Sequence, residues 1–344
     1  MSCKNPLKAY SRDVDGKNEI VFASSFDVPF VQKNGHIYGT KLELPCGQCI
    51  GCRLEYSRQW ATRCVLEASQ HSSNYFVTLT YNDAFLPCVP YQFLDHYTGE
   101  LVSDCSHPLE PKHFQDFMKR LRQKFLRDFG YEGVRFYACG EYGSENKRPH
   151  YHAILFNCPL PDLEPVGSNF QGDVYYRSQF LEDCWSYLDK KSGIRVPLGF
   201  VTIADVNFNT CAYVARYMLK KHKGKSASYY VDNHITPEFS RMSRKPGIAR
   251  DYFDSNFEKI YAYDQIVITG GDGIAKRVRP PRYYDTLYDI FSPEDLKRVK
   301  EARISKARTA EQQRKERTTV SRDDYLHISE EALLSKVKSL KRPI

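Results

Sequence analysis

Spread over 344 residues, a formal net charge of +8 and an aromatic content of 14% (25 Tyr, 20 Phe) describe a chain with ample material for a buried core. The charge is uneven: Lys297 to Ile344 holds 14 Lys/Arg against 7 Asp/Glu, while the rest is nearly balanced at 36 against 35. No apolar run approaches the ~18 residues of a membrane span and Met1 to Asp15 has no signal-peptide core, so membrane and secreted proteins are excluded.

A soluble, cytoplasmic chain is therefore expected, in which 11 Cys read as reduced thiols and metal ligands rather than disulfides. The N-terminal region has alternating pieces, Glu19–Phe22 and His36–Leu44, that predict short strands. Cys46-Gly-Gln-Cys49-Ile-Gly-Cys52 then sets three thiols at two-residue intervals on a Gly-containing turn, a spacing that wraps one metal ion. A fourth ligand is required, with Cys3 preferred and Cys64 the alternative. Zinc is favoured over an iron–sulfur cluster, since position 56, where a further Cys would fall, is Tyr.

Arg53–His71 carries Leu54, Ala61, Val65 and Ala68 at helical intervals with Arg53, Arg58 and Arg63 between them, which predicts a helix with exposed basic residues. Tyr75–Tyr81 reads as a central strand stopped by Asn82-Asp83. Leu86–Pro111, broken by four Pro, has no assignable period. Lys112–Phe129 is a helix with Phe114, Phe117, Met118, Leu121 and Phe125 on one stripe, Gly130 at its end, and Lys119, Arg120, Arg122, Lys124 and Arg127 on a solvated face.

Val134–Glu141 and His150–Phe156 alternate as strands on either side of a turn at Gly143–Pro149, so they predict a hairpin. The period of two puts His150 and His152 on one face, within reach of Glu141 across the turn. Two imidazoles and a carboxylate suit Mg²⁺ or Mn²⁺ with positions left for water or phosphate oxygen. His-x-His alone is a weak signal, strengthened here by the strand context, the Glu and the Tyr pair downstream.

Ser178–Leu188 repeats a helical pattern through Phe180, Leu181, Cys184, Trp185 and Leu188, and Gly199–Val206 is another strand. The order strand, helix, strand, strand, helix, strand predicts an α+β fold, a split βαβ antiparallel sheet with helices packed on it. In Asn209–Lys221, read as a helix, Tyr213, Tyr217 and Lys220 share one face. Two aligned phenols beside the basic run Arg216, Lys220, Lys221, Lys223, Lys225 point to phosphate rather than to a core border. Ser240–Gly247 is a basic loop, Tyr261–Val278 a hairpin turning at Gly270–Gly273, and the chain from Ser292 an exposed helical or partly disordered tail. Three segments result: a Cys-rich segment with its helix (1–70), a central domain (71–260), and a C-terminal hairpin with a basic helical tail (261–344).

Three blocks in order, Phe76-Val-Thr-Leu-Thr-Tyr81, Arg148-Pro-His150-Tyr-His152 and Tyr213-Val-Ala-Arg-Tyr217-Met-Leu-Lys220, resemble the HUH endonucleases that start rolling-circle replication, in particular the initiators of gokushovirus-type microviruses. Pro45–Arg53 and Ser243–Gly247 look like further segments of that phage group. Residue 151 is Tyr, where the family usually carries an aliphatic side chain. The resemblance implies an HUH endonuclease fold and a single-strand DNA nickase and strand transferase. It assigns metal binding to His150, His152 and Glu141 and tyrosine attack to Tyr213 and Tyr217, with Lys220 stabilising the phenolate and favouring Tyr217 for the first cut. The products are a 5′-phosphotyrosine and a free 3′-hydroxyl. Arg148, Arg216, Lys221, Arg244 and Lys245 would contact single-stranded and supercoiled origin DNA, with host helicase and polymerase as further partners. A zinc-containing DNA-binding regulator and a water-activating metal nuclease are the competing classes.

Overall fold

The computed structural model describes residues 3–14, 17–169, 172–216, 221–222, 224–269 and 273–339. The chain divides into two compact units, Met1–Tyr56 with Glu294–Ile344, and Ser57–Pro293. Among the described residues no helix is long and apolar enough to cross a membrane.

The first unit opens with β1 (Leu7–Val14), β2 (Lys17–Ala23), β3 (Val31–Lys33), β4 (His36–Tyr38) and β5 (Thr40–Leu44). β1 lies between β2 and β5, antiparallel to both. Asn34 and Gly35, at φ 50° and 77°, form the two-residue turn of the β3–β4 hairpin, whose twist suits a strand pair. Gly39 interrupts the single strand expected over His36–Leu44. α1 (Ile50–Ala68) starts directly from the Cys46 loop, and its residues from Ser57 onward belong to the second unit.

In the second unit, β6 (Tyr75–Thr80) is followed by a hairpin in the stretch that had no assignable period, β7 (Val89–Leu94) with β8 (Leu101–Ser106). Cys88 and Cys105 are joined by a disulfide at its open end, which corrects the expectation of reduced thiols throughout: strand pairing holds their Cα atoms 5.6 Å apart, within bridging range.

α2 (Pro111–Phe129) buries the five apolar residues of its expected stripe, is capped by Glu110 accepting from Lys112 N–H, and ends at Gly130 with φ 62°. Its charged residues are not all a solvated face. Arg120 donates to Cys184 O, Arg122 to Val134 O, and Lys124 pairs with Asp183 at 2.6 Å. Long side chains of this kind lay their stems along apolar surface and carry the charge to a carbonyl or carboxylate nearby. Arg63 on α1 is likewise not exposed but donates to Ile248 O between the rings of Trp60 and Tyr283.

β9 (Arg135–Tyr142) and β10 (Pro149–Phe156) make the expected hairpin, and β11 (Glu164–Ser168) with β12 (Val174–Arg177) makes one that periodicity did not reveal. The helix expected over Ser178–Leu188 is a single turn, α3 (Gln179–Glu182), after which β13 (Ser186–Leu188) pairs with β14 (Arg195–Pro197). Phe180, Leu181, Cys184 and Trp185 are buried all the same, with Trp185 Nε1–H donating to Thr80 O.

β15 (Val201–Asp205), α4 (Phe208–Arg216), α5 (Ser228–Asp232), β16 (Phe239–Met242), α6 (Arg250–Tyr263), β17 (Ile266–Thr269), β18 (Ala275–Val278) and α7 (Arg282–Phe291) complete the unit. β16 takes in the first part of the expected basic loop, and α6 the first residues of the hairpin expected from Tyr261.

Seven strands form one antiparallel sheet in the order β11-β12-β15-β6-β10-β9-β16. β10 lies between β6 and β9, the two strands that α2 connects. One face, with Val77, Leu79, Ala138, Tyr151, Ala153 and Leu155, packs on the apolar stripe of α2 as the main core. On the other, Trp60 of α1 stacks on Tyr137 at 4.7 Å and α4 lies against β9 and β10.

α8 (Pro293–Arg317) and α9 (Arg322–Ser339) follow, and both are ordered helices rather than a partly disordered tail. Arg322 pairs with Glu43 and Glu311, and Glu330 accepts from Ile50 N–H.

Candidate functional site

The hairpin register sets His150 opposite Glu141 and His152 opposite Cys139, so all three chemistry-bearing side chains emerge on the face away from α2. The turn between them is closed by Gly143 N–H donating to Arg148 O. Both imidazoles aim Nε2 at the same carboxylate oxygen, Glu141 Oε1, at 2.8 Å from His150 and 3.2 Å from His152. Glu141 and His152 are buried, and His150 is partly so.

The far side of each ring is held. His150 Nδ1–H donates to Arg148 O at 3.1 Å, and His152 Nδ1 lies 3.0 Å from Thr78 Oγ1. A carbonyl can only accept, so the His150 proton is fixed on Nδ1 and Nε2 is turned toward the carboxylate. Three donor atoms that each bring lone pairs to one point are best joined by a cation, and they lie within 4.8 Å of one another. Burial pushes the Glu141 carboxyl up, but the two imidazoles outweigh it and hold the group down at about 2.

Phe76 stacks on the His152 ring at 5.4 Å and 17°. Thr78 and Phe76 thus brace the histidine from β6, a role the sequence alternation placed on the right face without singling out. Tyr213, on α4, puts its ring 5.2 Å from that of His152 and 5.9 Å from Phe76. Four of the expected residues, Glu141, His150, His152 and Tyr213, therefore meet. Tyr217 and Lys220 lie outside the described residues, as does the side chain of Arg216.

Arg148 is engaged, donating to Asp83 at 2.6 Å and to Tyr81 O. Lys221 borders an opening together with His222 and Tyr230. Arg244 and Lys245 are exposed on the loop after β16.

A second cluster lies in the first unit. The thiols of Cys3, Cys46, Cys49 and Cys52 all lie within 4.8 Å of one another, with Cys3–Cys46 at 3.7 Å, Cys3–Cys49 at 3.8 Å and Cys46–Cys52 at 4.0 Å. A tetrahedral metal with ~2.3 Å metal–sulfur bonds separates its sulfurs by about 3.8 Å, so the set fits one ion. Cys3 rather than Cys64 completes it; Cys64 is buried on α1 apart from the cluster. Backbone N–H groups of Lys4 and Cys52 donate to Cys49 Sγ at 3.2 and 3.4 Å. Burial presses that thiol up, yet these donors outweigh it and bring it to about 7, within reach of the thiolate form that metals bind.

The family model for the phage replication-associated protein ORF2 matches residues 74–222, a span that contains Glu141, His150, His152 and Tyr213. Over its whole length the chain is 34% identical to replication-associated protein ORF2 of Spiroplasma virus 4, covering 98% of that protein. It is also 27% identical to replication-associated protein VP4 of Bdellovibrio phage phiMH2K, over 86% of this chain and 79% of the relative. Replication-associated protein ORF4 of Chlamydia phage 1 is 27% identical over 80% of this chain and 60% of its own length. No solved structure matches the chain.

Proposed function

Because this chain belongs to the replication-associated protein ORF2 family, whose members named above are phage proteins, we propose that it initiates replication of a phage genome by nicking single-stranded or supercoiled origin DNA. The observation that carries the reading is the meeting of Glu141, His150 and His152 with the Tyr213 ring 5.2 Å from His152. An imidazole–carboxylate set beside a phenol suits metal-assisted attack on phosphorus better than a closed structural ion. The strand order, with β10 between the two strands that α2 connects, supports the split βαβ core of an HUH endonuclease.

Mg²⁺ or Mn²⁺ held by Glu141, His150 and His152 would polarise the scissile phosphate. The Tyr213 hydroxyl forms a bond to phosphorus as it gives up its proton. The bond from phosphorus to the 3′-oxygen breaks, and that oxygen takes up a proton and leaves as a 3′-hydroxyl. The 5′ end stays on the enzyme as phosphotyrosine. Tyr217, four residues on, would serve as the second nucleophile that cuts the regenerated origin, and Lys220 would stabilise its phenolate. Arg148, Arg216, Lys221, Arg244 and Lys245 would contact phosphates, and the four-Cys cluster would hold zinc as a structural ion.

The test is a suicide oligonucleotide with Mn²⁺ and denaturing electrophoresis. Single Tyr213→Phe and Tyr217→Phe proteins should each form some covalent adduct, and the double variant none. A DNA-linked residue other than these two, or cleavage with no adduct at all, would replace tyrosine attack by hydrolysis.

A further inference from the structure

On the sheet face opposite the candidate metal site, α2 and the edge strand β16 border an open groove of about 420 Å³. Its rims carry Lys119 and Arg122 from α2, and Arg241 with Arg244 from β16 and the loop after it. Phe136 lies between them, half-buried, on the α2 side of β9, the side opposite Glu141 by strand alternation. Among the described residues no carboxylate pairs with any of the four cations, although paired Lys and Arg occur elsewhere on the same helix.

Arg122 is anchored with its guanidinium in place. Nε–H and Nη2–H donate to Val134 O at 3.2 and 3.1 Å, and the group lies 5.4 Å over the Phe136 ring. Burial, and after it the Arg135 charge, push its pKa down, so the fold holds a half-buried cation that lacks a compensating anion. Arg241 lies over Phe239 in the same manner at 5.3 Å. The two arginines are held by rings and carbonyls, which leaves their outer N–H edges for an acceptor from solution.

We propose that this groove binds the phosphodiester backbone of single-stranded DNA, as a second strand path separate from the metal site. The charges line two rims, one helical turn apart on α2 and about three residues apart along β16 and its loop, rather than converging on a point. That layout fits a linear polyanion better than one free phosphate. Four cations on a strand predict a salt slope contribution of about 2.8, at ~0.7 per phosphate contact.

The site does not require that the protein cut DNA, so the two readings can fail separately. The full chain carrying Lys119→Glu and Arg241→Glu would be compared with the parent on a fluorescent single strand long enough to span both faces. We expect weaker binding, with the log–log salt slope reduced by about 1.4 or more. Lys119→Arg with Arg241→Lys should restore both. Adduct yield per bound oligonucleotide is read in parallel: loss of adduct with the groove effect intact sinks only the nicking reading. Unchanged affinity and slope in the Glu variant overturn the groove. So does displacement by millimolar inorganic phosphate as effective as that by an unlabelled strand, which would make it a site for free anions.

Discussion

Tyr151 stands between the two histidines in sequence and on the opposite face in space. Its hydroxyl is buried, donating to Glu110 O at 2.9 Å, accepting from Glu110 N–H at 3.0 Å and meeting the Tyr81 hydroxyl at 2.9 Å. This explains how an aromatic serves where the family resemblance leads one to expect an aliphatic. Tyr151→Phe leaves buried partners unsatisfied and is expected to cost about 1–3 kcal/mol, read as a lower melting temperature, with Mn²⁺ affinity unchanged. Thr78→Val should do the reverse. It removes the partner of His152 Nδ1, and Mn²⁺ affinity measured by titration should fall by about tenfold with little change in melting. Glu141, His150 and His152 were legible because a period of two and one short turn decide them. Thr78 and Phe76 were not, because their role depends on the pairing of β6 with β10 across some seventy residues.

Elements were readable wherever one periodic face met one core. α2 shows this: stripe, cap and terminal Gly all agree with its observed bounds. The 178–188 segment shows the limit, since four apolar residues at helical spacing were also compatible with one turn followed by a strand. Trp185 settles it through a hydrogen bond to Thr80 O that no local pattern announces. Gly199 is a related case. A Cβ there would lie 2.0 Å from Thr80 O and 2.7 Å from Asn82 N, both backbone atoms that cannot swing aside. Gly199→Ala is therefore expected to destabilise by about 2 kcal/mol or more, visible as a shifted denaturant midpoint. A neutral result would mean that the strand pair slides freely at this point.

At the scale of the whole molecule, Cys3 closes a ring with ligands more than forty residues later. Zinc content of protein purified without chelator should be about one per chain, and Cys3→Ser should lower it and weaken its retention against a strong chelator. Two units were not legible as such, because the charge-rich helices beyond Glu294 carry little apolar signal and their attachment rests on isolated contacts such as Arg322–Glu43 and Glu330–Ile50.

That attachment has a consequence for how the protein is made. The first 56 residues leave the ribosome early, but the partners of Glu43 and Ile50 emerge only about 240 residues afterwards. At roughly 5–20 residues per second that is a wait of about 12–50 s, during which the whole of the second unit is synthesised and free to fold. The N-terminal unit is thus finished last, and a message read only as far as position 293 would yield the seven-stranded sheet with its Glu141–His150–His152 face beside a β1–β5 segment that has lost its closing helices.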